Sequence, residues 1–437
     1  MRYYAKYFFA AEYWRALLLL ILFNSCNPKV YQSTWYLPNE KNETIWTLNK
    51  MCFNSENYNG STKYVSHMPI KYVKLSFHFF NDPNQPNFSP YEASMYANDL
   101  VRYSNEKLAN NQPMNLPLGN NTPLFPIRYR YIIGADSITN KEAVYYHTDN
   151  EVAYMNKKNN SRNIFWNAPY EKYGIKTDNA IDVFMLEHPK DSVGSPTYKA
   201  SMDGIGEGNW MKIVGAYQHS LDSFVEEYGN KKRKWAEQYV GLFNHEAGHI
   251  VGLPHTWQYN DGCDDTPKHS NCWNYTETEP CNREVSNNMM DYNAYQNSLT
   301  PCQIGKVNFN LLDRHSSIRK YLQNNWCNPQ KMNDITIPKN TVIEWQCNKE
   351  VEGNILLKEN SILKIYCALS MPKNSSIKVY PGAKLILDGC KIYNECSFIW
   401  EGIEILSAEN KKGGVELLNG AVIENISSKK ENNNIKQ

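Results

Sequence analysis

The chain contains 437 residues, with 46 lysines and arginines against 45 aspartates and glutamates, so its formal net charge at pH 7 is +1. A nearly neutral chain gives no basis for binding nucleic acid or for bulk electrostatic attraction to a membrane surface. Its length suffices for two domains, each with its own apolar core. We therefore expect no nucleic-acid partner, while enzymes, binding modules and structural proteins stay open.

The N-terminus has the pattern of a targeting segment, which occupies residues 1–26. Basic residues precede an apolar run at 16–23 that is too short to span a bilayer as a mature helix. The run ends at Ser25-Cys26, which resembles a bacterial lipobox. We therefore expect a lipid on Cys26 and a cell-surface, outer-membrane lipoprotein whose only membrane contact is that lipid. An ordinary secretory signal is the alternative, and both place the mature chain outside the cytosol.

Residues 27–66 have few apolar runs and are predicted to form a linker or a loosely held N-terminal extension. The next region, 67–329, shows the patterns of an α+β domain with a mixed sheet, built around a helix that starts near residue 235. Its other predicted elements are strands at 71–80, 127–133, 181–186 and 210–217 and helices at 91–111 and 303–323. The glycine-rich segment 204–208 is interpreted as a flexible loop.

The central helix carries the sequence HExxH, with His245, Glu246 and His249. Four residues advance a helix by about 400°, so the two imidazoles lie on one face. Gly252 permits the left-handed turn that ends the helix, after which the chain returns with His255. Three histidines that hold zinc leave a fourth position for water, which is the catalytic pattern. We predict a zinc hydrolase with Glu246 as general base; a chance HExxH on a packed helix is the alternative.

The cysteine count indicates an oxidising compartment. Eleven cysteines, less Cys26, leave an even number, as is typical of disulfide-bonded proteins outside the cytosol. Four cysteines surround the loop after His255 and are disulfide candidates: Cys263, Cys272, Cys281 and Cys302. At least one disulfide is therefore expected to tie this loop to its surroundings, with the pairing left open. Free buried thiols are the alternative.

Two adjacent carboxylates in the same loop, Asp264 and Asp265, are candidate calcium ligands. Carboxylate oxygens are the hard ligands that calcium prefers. Hydrogen bonding within a tight Asp-Thr-Pro turn is the equally weighted alternative.

From residue 333 to 426 the sequence is β-rich. Short alternating segments follow small polar turns that begin at Asn340, Asn360, Asn374 and Gly382. Their spacing varies, but the alternation predicts stacked strands in an all-β domain: a partial parallel β-helix first, a β-sandwich second. The segment carries no catalytic constellation, so we expect it to bind, anchor or space the rest of the protein. Residues 427–437 are predicted to be a polar tail.

The HExxH pattern extends to HExxHxxGxxH over 245–255, and the segments 263–267, 288–292 and 299–303 read CDDTP, NMMDY and LTPCQ. Together these motifs resemble those of the pappalysin-like proteases in the metzincin clan, in which NMMDY is similar to the Met-turn beneath the zinc. The resemblance implies a metzincin-like catalytic domain and a secreted zinc endopeptidase. It also implies that Met290 lies under the metal as an apolar floor.

In that group the substrate is a protein or peptide, held in extended form by the edge strand of the sheet, which corresponds here to 212–216. Tyr292 is a further catalytic candidate that would assist the oxyanion, with a packed aromatic side chain as the alternative. Two functions of other classes stay open. One is a catalytically silent, zinc-bearing adhesin, and the other is a zinc amidase acting on the cell wall.

Overall fold

The computed structural model describes residues 30–36, 49–84, 87–155, 167–176, 179–189, 193, 201–220, 236–257 and 261–427. It describes the backbone alone at 157–158, 161–162, 221–222, 224–227 and 230–233. The predicted targeting segment 1–26, with Cys26, and the tail residues 428–437 lie outside these ranges. Among the described helices, none combines the length and the apolar character needed to cross a membrane.

Strands and helices alternate in the first region. Its strands are β1 (Gln32–Tyr36), β2 (Lys71–Asn81), β3 (Tyr129–Ile133), β4 (Val144–Thr148), β5 (Lys157–Lys158), β6 (Ser161–Arg162), β7 (Ile181–Leu186), β8 (Asp203–Glu207), β9 (Trp210–Val214), β10 (Phe224–Glu227) and β11 (Asn230–Arg233). Its α-helices are α1 (Pro90–Ala109), α2 (Ala168–Tyr173), α3 (Ala216–Asp222), α4 (Val240–Ile250) and α5 (Pro301–Leu312).

A mixed sheet frames this region, in the order β3-β2-β7-β9-β8 with β4 also paired to β2. Its pairings are parallel except that of β8 with β9. The central strands β2 and β7 are almost continuously buried, as expected for strands covered on both faces. The edge on the α4 side is β8, so the prediction of 212–216 as the edge strand is wrong. Most of that segment lies in β9, which is paired on both sides.

Helix α1 packs its apolar side against the sheet and α4. Its start is fixed by a capping box, in which Ser89 accepts from the Glu92 backbone N–H and the Glu92 carboxylate accepts from the Ser89 N–H. Three residues of that side, Tyr96, Leu100 and Leu108, are fully buried. The predicted helix at 91–111 therefore agrees with the structure to within two residues at its end.

The other two predicted helices are shorter than the sequence indicated. α4 begins at Val240, after a 3-10 turn at Glu237–Tyr239. α5 ends at Leu312, where Asp313 takes an extended conformation and its carboxylate accepts from the His315 N–H at 3.1 Å. A side chain that bonds the backbone just ahead of it competes with continuation of the helix.

The second region is all β. Its strands are β12 (Ile335–Ile337), β13 (Val342–Trp345), β14 (Lys349–Glu350), β15 (Ile355–Leu357), β16 (Ile362–Ile365), β17 (Leu369–Ser370), β18 (Ser376–Val379), β19 (Lys384–Asp388), β20 (Lys391–Tyr393), β21 (Gly402–Ala408), β22 (Lys411–Lys412), β23 (Gly414–Leu418) and β24 (Val422–Ile423). They form three sheets whose main pairings are parallel, in the orders β12-β15-β18-β21, β13-β16-β19-β23 and β14-β17-β20-β24.

The chain passes through the three sheets in turn, and we call each such passage a circuit. Each strand pairs with the equivalent strand of the next circuit. Ile335 pairs with Ile355, Ile355 with Ile377, and Ile377 with Ile403. Their side chains are buried in a second apolar core, separate from that of the first region. The predicted alternation of apolar residues therefore corresponds to an inward and an outward face.

Polar turns between the strands have the left-handed conformation. Asn340, Asn360 and Gly382 have φ angles of 55°, 58° and 74° and precede three stacked strands. Asparagine and glycine adopt this region more readily than other residues. The turn signals found in the sequence thus mark equivalent corners of successive circuits.

The N-terminal segment is fastened to the second region, in contrast to the loosely held extension predicted for 27–66. β1 pairs antiparallel with β21 across 375 residues of sequence. Cys52 forms a disulfide with Cys367. The carbonyl of Tyr58 accepts from the Asn308 side chain at 2.8 Å, which ties the segment to α5 as well. Each of these contacts joins residues that are far apart in the sequence, so local composition could not predict them.

A buried ionic cluster lies where the two regions meet. Lys71 of β2 and Arg319 both pair with Glu350 of β14, and Arg319 also pairs with Glu395. Trp326 donates to Glu395 at 2.9 Å. A disulfide between Cys327 and Cys396 closes the same junction. Buried charges are tolerated only when paired, so this cluster holds the two regions in one arrangement.

Candidate metal centre and active site

The end of α4 sets the positions of three histidines. His245 and His249 project from successive turns, and Gly252 (φ 99°) turns the chain so that His255 faces them. An ideal Cβ at Gly252 would lie 2.2 Å from Nδ2 of Asn310, so no other residue fits there without a shift. The turn predicted from the sequence is therefore required by both conformation and space.

The three imidazoles converge through their Nε2 atoms. The separations are 3.2 Å between His245 and His249, 3.1 Å between His245 and His255, and 3.0 Å between His249 and His255. Nitrogens 2.0–2.1 Å from a tetrahedral zinc ion are roughly 3.3 Å apart. The spacing of this set therefore fits one zinc ion.

The protonation of the rings fits a metal as well. Nδ1–H of His245 donates to the Met289 carbonyl and Nδ1–H of His249 to the Leu253 carbonyl, each at 2.8 Å. These bonds leave the Nε2 lone pairs free. Burial lowers the pKa of His245 to about 3 and of His255 to about 4, and it also lowers the pKa of His249. The three rings are therefore neutral donors at neutral pH.

Glu246 lies beside the histidines and is only 6% exposed. Its Oε2 accepts a hydrogen bond from the backbone N–H of Gly206 in β8, at 2.7 Å. Burial raises the pKa of Glu246 to about 7, although the Gly206 N–H acts in the opposite direction. A carboxyl group with a pKa near neutrality can both accept and release a proton at working pH.

Strand β8 passes directly over α4, and two of its glycines make this approach possible. An ideal Cβ at Gly206 would lie 2.2 Å from the backbone oxygen of Glu246, and one at Gly204 would lie 2.9 Å from Leu242. Glycine inside a strand often marks such a close approach of two backbones. The interpretation of 204–208 as a flexible loop is therefore wrong, because the segment is the edge strand that borders the site.

Met290 packs against α4, and its position beneath a metal stays a prediction. It is fully buried, and its Sδ would lie 2.4 Å from a Cβ placed at Gly248. Its backbone N–H donates to the Asn288 side chain at 2.9 Å, which fixes the turn. Because the sulfur packs against the helix, Met290 supports the histidines from below.

Tyr292 stands at the rim of the site. Its ring centroid is 5.5 Å from that of His245, 5.1 Å from that of His255 and 4.5 Å from that of Trp257. The side chain is 47% exposed, and burial together with the charge of Glu246 raises the pKa of its hydroxyl. The structure therefore brings the predicted Tyr292 beside the metal centre, together with Trp257, which the sequence reading did not single out.

Asp291 was missed by the sequence reading, although it joins the third histidine to the Met-turn. Its buried carboxylate accepts from Thr256, which follows His255, at 2.5 Å, from Ser286 at 2.6 Å and from His269 at 2.8 Å. Burial raises the pKa of Asp291, but these hydrogen bonds outweigh burial and hold the pKa below its ordinary value. His269 lies 22 residues away, so no local pattern could reveal the pair.

The predicted disulfides of the active-site loop are present. Cys263 pairs with Cys302, and Cys272 pairs with Cys281. The first bond fixes the loop to the start of α5, and the second closes a small loop within it. The expectation of at least one disulfide among these cysteines is therefore confirmed.

The two aspartates of this loop have different surroundings. Asp264 is exposed, whereas Oδ2 of Asp265 accepts from the Cys302 N–H at 3.1 Å, in the first turn of α5. Nearby, Thr266 donates to the buried carboxylate of Asp261 at 2.8 Å. The calcium prediction therefore gains no support, and the bond of Asp265 runs to α5 rather than within its own turn.

Comparisons with known proteins give structural likeness only. No family model and no curated protein matches the chain. Mature mirolysin of Tannerella forsythia, in complex with a cleaved peptide, has 15% identity and a TM-score of 0.37, covering 59% of this chain and 96% of that one. Mirolysin in complex with compound 9 has 15% identity and a TM-score of 0.38, and the match covers 59% of this chain and 97% of that one. A mutant of Tannerella forsythia promirolysin has 14% identity and a TM-score of 0.38, and the match covers 61% of this chain and 88% of that one. At this identity and superposition the likeness assigns neither family nor function.

Proposed function

We propose that this protein is a zinc-dependent endopeptidase of the pappalysin-like, metzincin type. The observation that carries the proposal is the convergence of three histidine Nε2 atoms, 3.0–3.2 Å apart, beside a buried carboxyl group. In the part of the chain that the structure describes, no fourth cysteine, histidine or carboxylate joins this group. Three protein ligands are typical of catalytic zinc, whereas structural zinc has four.

Bound zinc would supply Lewis-acid chemistry, by activating a water molecule and polarising the scissile carbonyl group. Glu246 accepts a proton from the attacking water and passes it to the leaving amine. Oε2 of Glu246 is held by the Gly206 N–H, so Oε1 is the oxygen that receives the proton. The raised pKa of this carboxyl group suits both transfers.

Tyr292 donates a hydrogen bond to the oxygen that becomes negatively charged when the carbonyl is attacked. Its position between His255 and Trp257 holds the ring beside the metal centre, and its partial exposure leaves it accessible to substrate. The role of Tyr292 is therefore to stabilise the oxyanion rather than to bind metal.

The substrate is a protein or peptide that lies extended along β8. This strand is the edge of the sheet on the α4 side, and no described strand pairs with its outer side. Backbone groups of an edge strand pair with an extended peptide by β-addition. Because Gly206 contacts the general base, a peptide paired with β8 runs past Glu246.

We also infer that the second region is a partial parallel β-helix. The support is its three parallel sheets, in which each strand pairs with the strand one circuit later. A β-sandwich is built mainly from antiparallel neighbours, so it does not account for this register. An experimental structure with antiparallel neighbours in these sheets would contradict the inference.

Three variants test the mechanism with a random peptide library and metal analysis. Glu246→Gln should keep about one zinc ion per chain and lose cleavage by at least ~100-fold, because general-base catalysis supplies that much. Tyr292→Phe should keep zinc and lower kcat by at least about tenfold, the worth of one hydrogen bond. His249→Ala should lose both zinc and cleavage.

Retained peptide cleavage in Glu246→Gln would disprove the mechanism. Loss of zinc from that variant would show that Glu246 is a metal ligand rather than a base. A wild-type protein that holds zinc without cleaving any peptide would favour the adhesin. Cleavage restricted to cell-wall fragments would favour the amidase.

A further inference from the structure

An exposed aromatic surface lies beside the candidate metal centre. Trp273 and Tyr275 of the loop after His255 are 55% and 50% exposed, and Tyr295, which follows the turn at 288–292, is 37% exposed. We call these three side chains the aromatic rim. Tryptophan is highly buried on average, and clustered exposed apolar side chains mark interaction sites more often than single ones do. The aromatic rim is therefore a candidate contact surface.

The loop holds its two aromatic side chains in a fixed place. The Cys272–Cys281 disulfide closes it, and inside it the Thr276 N–H donates to the Cys281 carbonyl at 3.1 Å. At the base of the loop, the Ser270 hydroxyl donates to the Glu284 carboxylate at 3.1 Å. An ordered surface loses little conformational freedom when a partner binds, so the aromatic rim is prepared for contact.

A backbone hydrogen bond fastens the aromatic rim to the metal centre. The N–H of Ala294 donates to the Trp273 carbonyl at 3.0 Å. Ala294 itself lies between Tyr292 and Tyr295 in the chain. The Tyr292 ring in turn lies 5.1 Å from the His255 ring. An extended peptide advances roughly 3.3–3.6 Å per residue, so a residue about three or four positions from the scissile bond reaches the aromatic rim.

The aromatic rim is flanked by negative charge. The exposed residues 273–284 include three acids, Glu277, Glu279 and Glu284, but only one basic residue, Arg283. Arg283 pairs with Glu279, and Glu284 bonds the base of the loop. The exposed carboxylate of Glu277 forms no ion pair or hydrogen bond with the residues that the structure describes. A positive charge on the partner therefore complements this part of the surface.

We propose that the aromatic rim is a docking surface for the polypeptide substrate, where it takes an apolar side chain that has a lysine or arginine next to it. The apolar side chain packs on the rings of Trp273 and Tyr275, since large aromatic side chains contribute most of the contact energy at such surfaces. The basic neighbour lies against the carboxylate of Glu277. The aromatic rim thus selects substrates by their sequence about three or four residues from the scissile bond.

The substrate is the occupant because the aromatic rim continues the path on which the substrate lies. A peptide paired with β8 runs past Glu246 to the histidines, and Tyr292, which borders them, is followed directly by the segment that bonds Trp273. This inference rests on the proposed peptidase function and adds the sequence class of its substrates. A binding assay that needs no cleavage separates the failure of one from the failure of the other.

The first test reads the sequence preference from cleavage. The full-length wild type and its variants digest a random peptide library, and the products are sequenced. We expect the wild type to favour apolar residues about tenfold at a position three or four residues from the cleaved bond, since covering half of a tryptophan side chain supplies that factor. Trp273→Ala should lose this preference and keep those next to the cleaved bond, whereas Trp273→Phe should keep most of it.

The second test measures binding without cleavage, in the Glu246→Gln protein. The probes are two fluorescein-labelled peptides rich in glycine and alanine that differ in one dipeptide, Phe-Lys or Ser-Ser, and anisotropy gives their affinities. The Phe-Lys peptide should bind about tenfold more tightly, and Trp273→Ala should remove the difference. Glu277→Gln should weaken binding of the Phe-Lys peptide about threefold. The matched control is Phe53→Ala, whose ring is 54% exposed in the N-terminal segment, and it should bind as its parent does.

The proposal is overturned if Trp273→Ala keeps the sequence preference and the affinity of its parent, or if the two peptides bind equally well. Cleavage without dependence on Trp273 would leave the peptidase function intact and remove the docking surface. Binding that depends on Trp273, in a wild-type protein that holds zinc and cleaves no peptide, would leave the docking surface and overturn the peptidase function. Should Trp273→Ala fail to fold, Tyr275→Ala measures the same contact.

Discussion

Asp291 shows how a single buried carboxylate can organise a site that it does not enter. It accepts from Thr256, next to the last histidine, from Ser286, just before the turn at 288–292, and from His269. Its contacts therefore link the position of His255 to that of the turn below the helix. Groups that orient metal ligands from behind commonly affect both stability and metal affinity.

The change Asp291→Asn tests this role at nearly constant volume. An amide supplies one acceptor oxygen where the carboxylate supplies two, and it removes the charge that faces His269. We expect a loss of about 3 kcal/mol in the free energy of unfolding and about tenfold weaker zinc binding. Urea unfolding and zinc titration measure the two effects.

Asp264→Asn is the matched control for this change. It lies in the same loop but is exposed, so its free energy of unfolding should stay within about 0.5 kcal/mol of the wild type. Equal free energies of unfolding for the two variants would show that Asp291 does not stabilise the site.

At the scale of elements, the contact between β8 and α4 brings the edge of the sheet to Glu246, the proposed general base. The strand is antiparallel to its only described neighbour, and its Gly206 N–H bonds the Glu246 carboxylate. The sequence suggested a loop here because glycines weaken strands in isolation. In the folded protein the same glycines are what allow the strand to lie against the helix.

Gly206→Ala should separate these two elements. The added methyl group would meet the backbone oxygen of Glu246, which cannot rotate away, so β8 must shift. We expect a loss of about 1–3 kcal/mol in stability and a fall in peptide cleavage of at least ~10-fold, because the base loses its hydrogen bond. Thermal melting and peptide cleavage measure these changes.

Gly134→Ala is the control for added bulk at a glycine of the same region. The nearest atom to its new Cβ lies at an ordinary contact distance of 3.5 Å. Wild-type activity in Gly206→Ala would show that the contact with β8 does not matter for the base.

At the scale of the whole molecule, two regions with separate cores are joined by three kinds of contact. These are the β1–β21 pairing, the disulfides Cys52–Cys367 and Cys327–Cys396, and the ionic cluster around Glu350. Four disulfides in one chain are typical of proteins that leave the cytosol. We infer from them that the protein acts outside the cytosol.

A lipid on Cys26 would place the β21 side of the second region nearest the membrane, because β1 begins only a few residues after it. Metabolic labelling with a fatty-acid probe should mark the wild type and leave Cys26→Ala unmarked. Equal labelling of both proteins would end the lipid proposal.

The sequence by itself determined the features that depend on short spacing. The HExxH helix, the glycine turn to His255, the clustered cysteines and the alternation after residue 333 are local patterns, and the structure brings the corresponding side chains together. Only the tertiary structure decided which strand forms the edge and what Asp291 binds. It alone joined β1 to β21. These features depend on contacts between residues far apart in the chain, which propensity and periodicity do not encode.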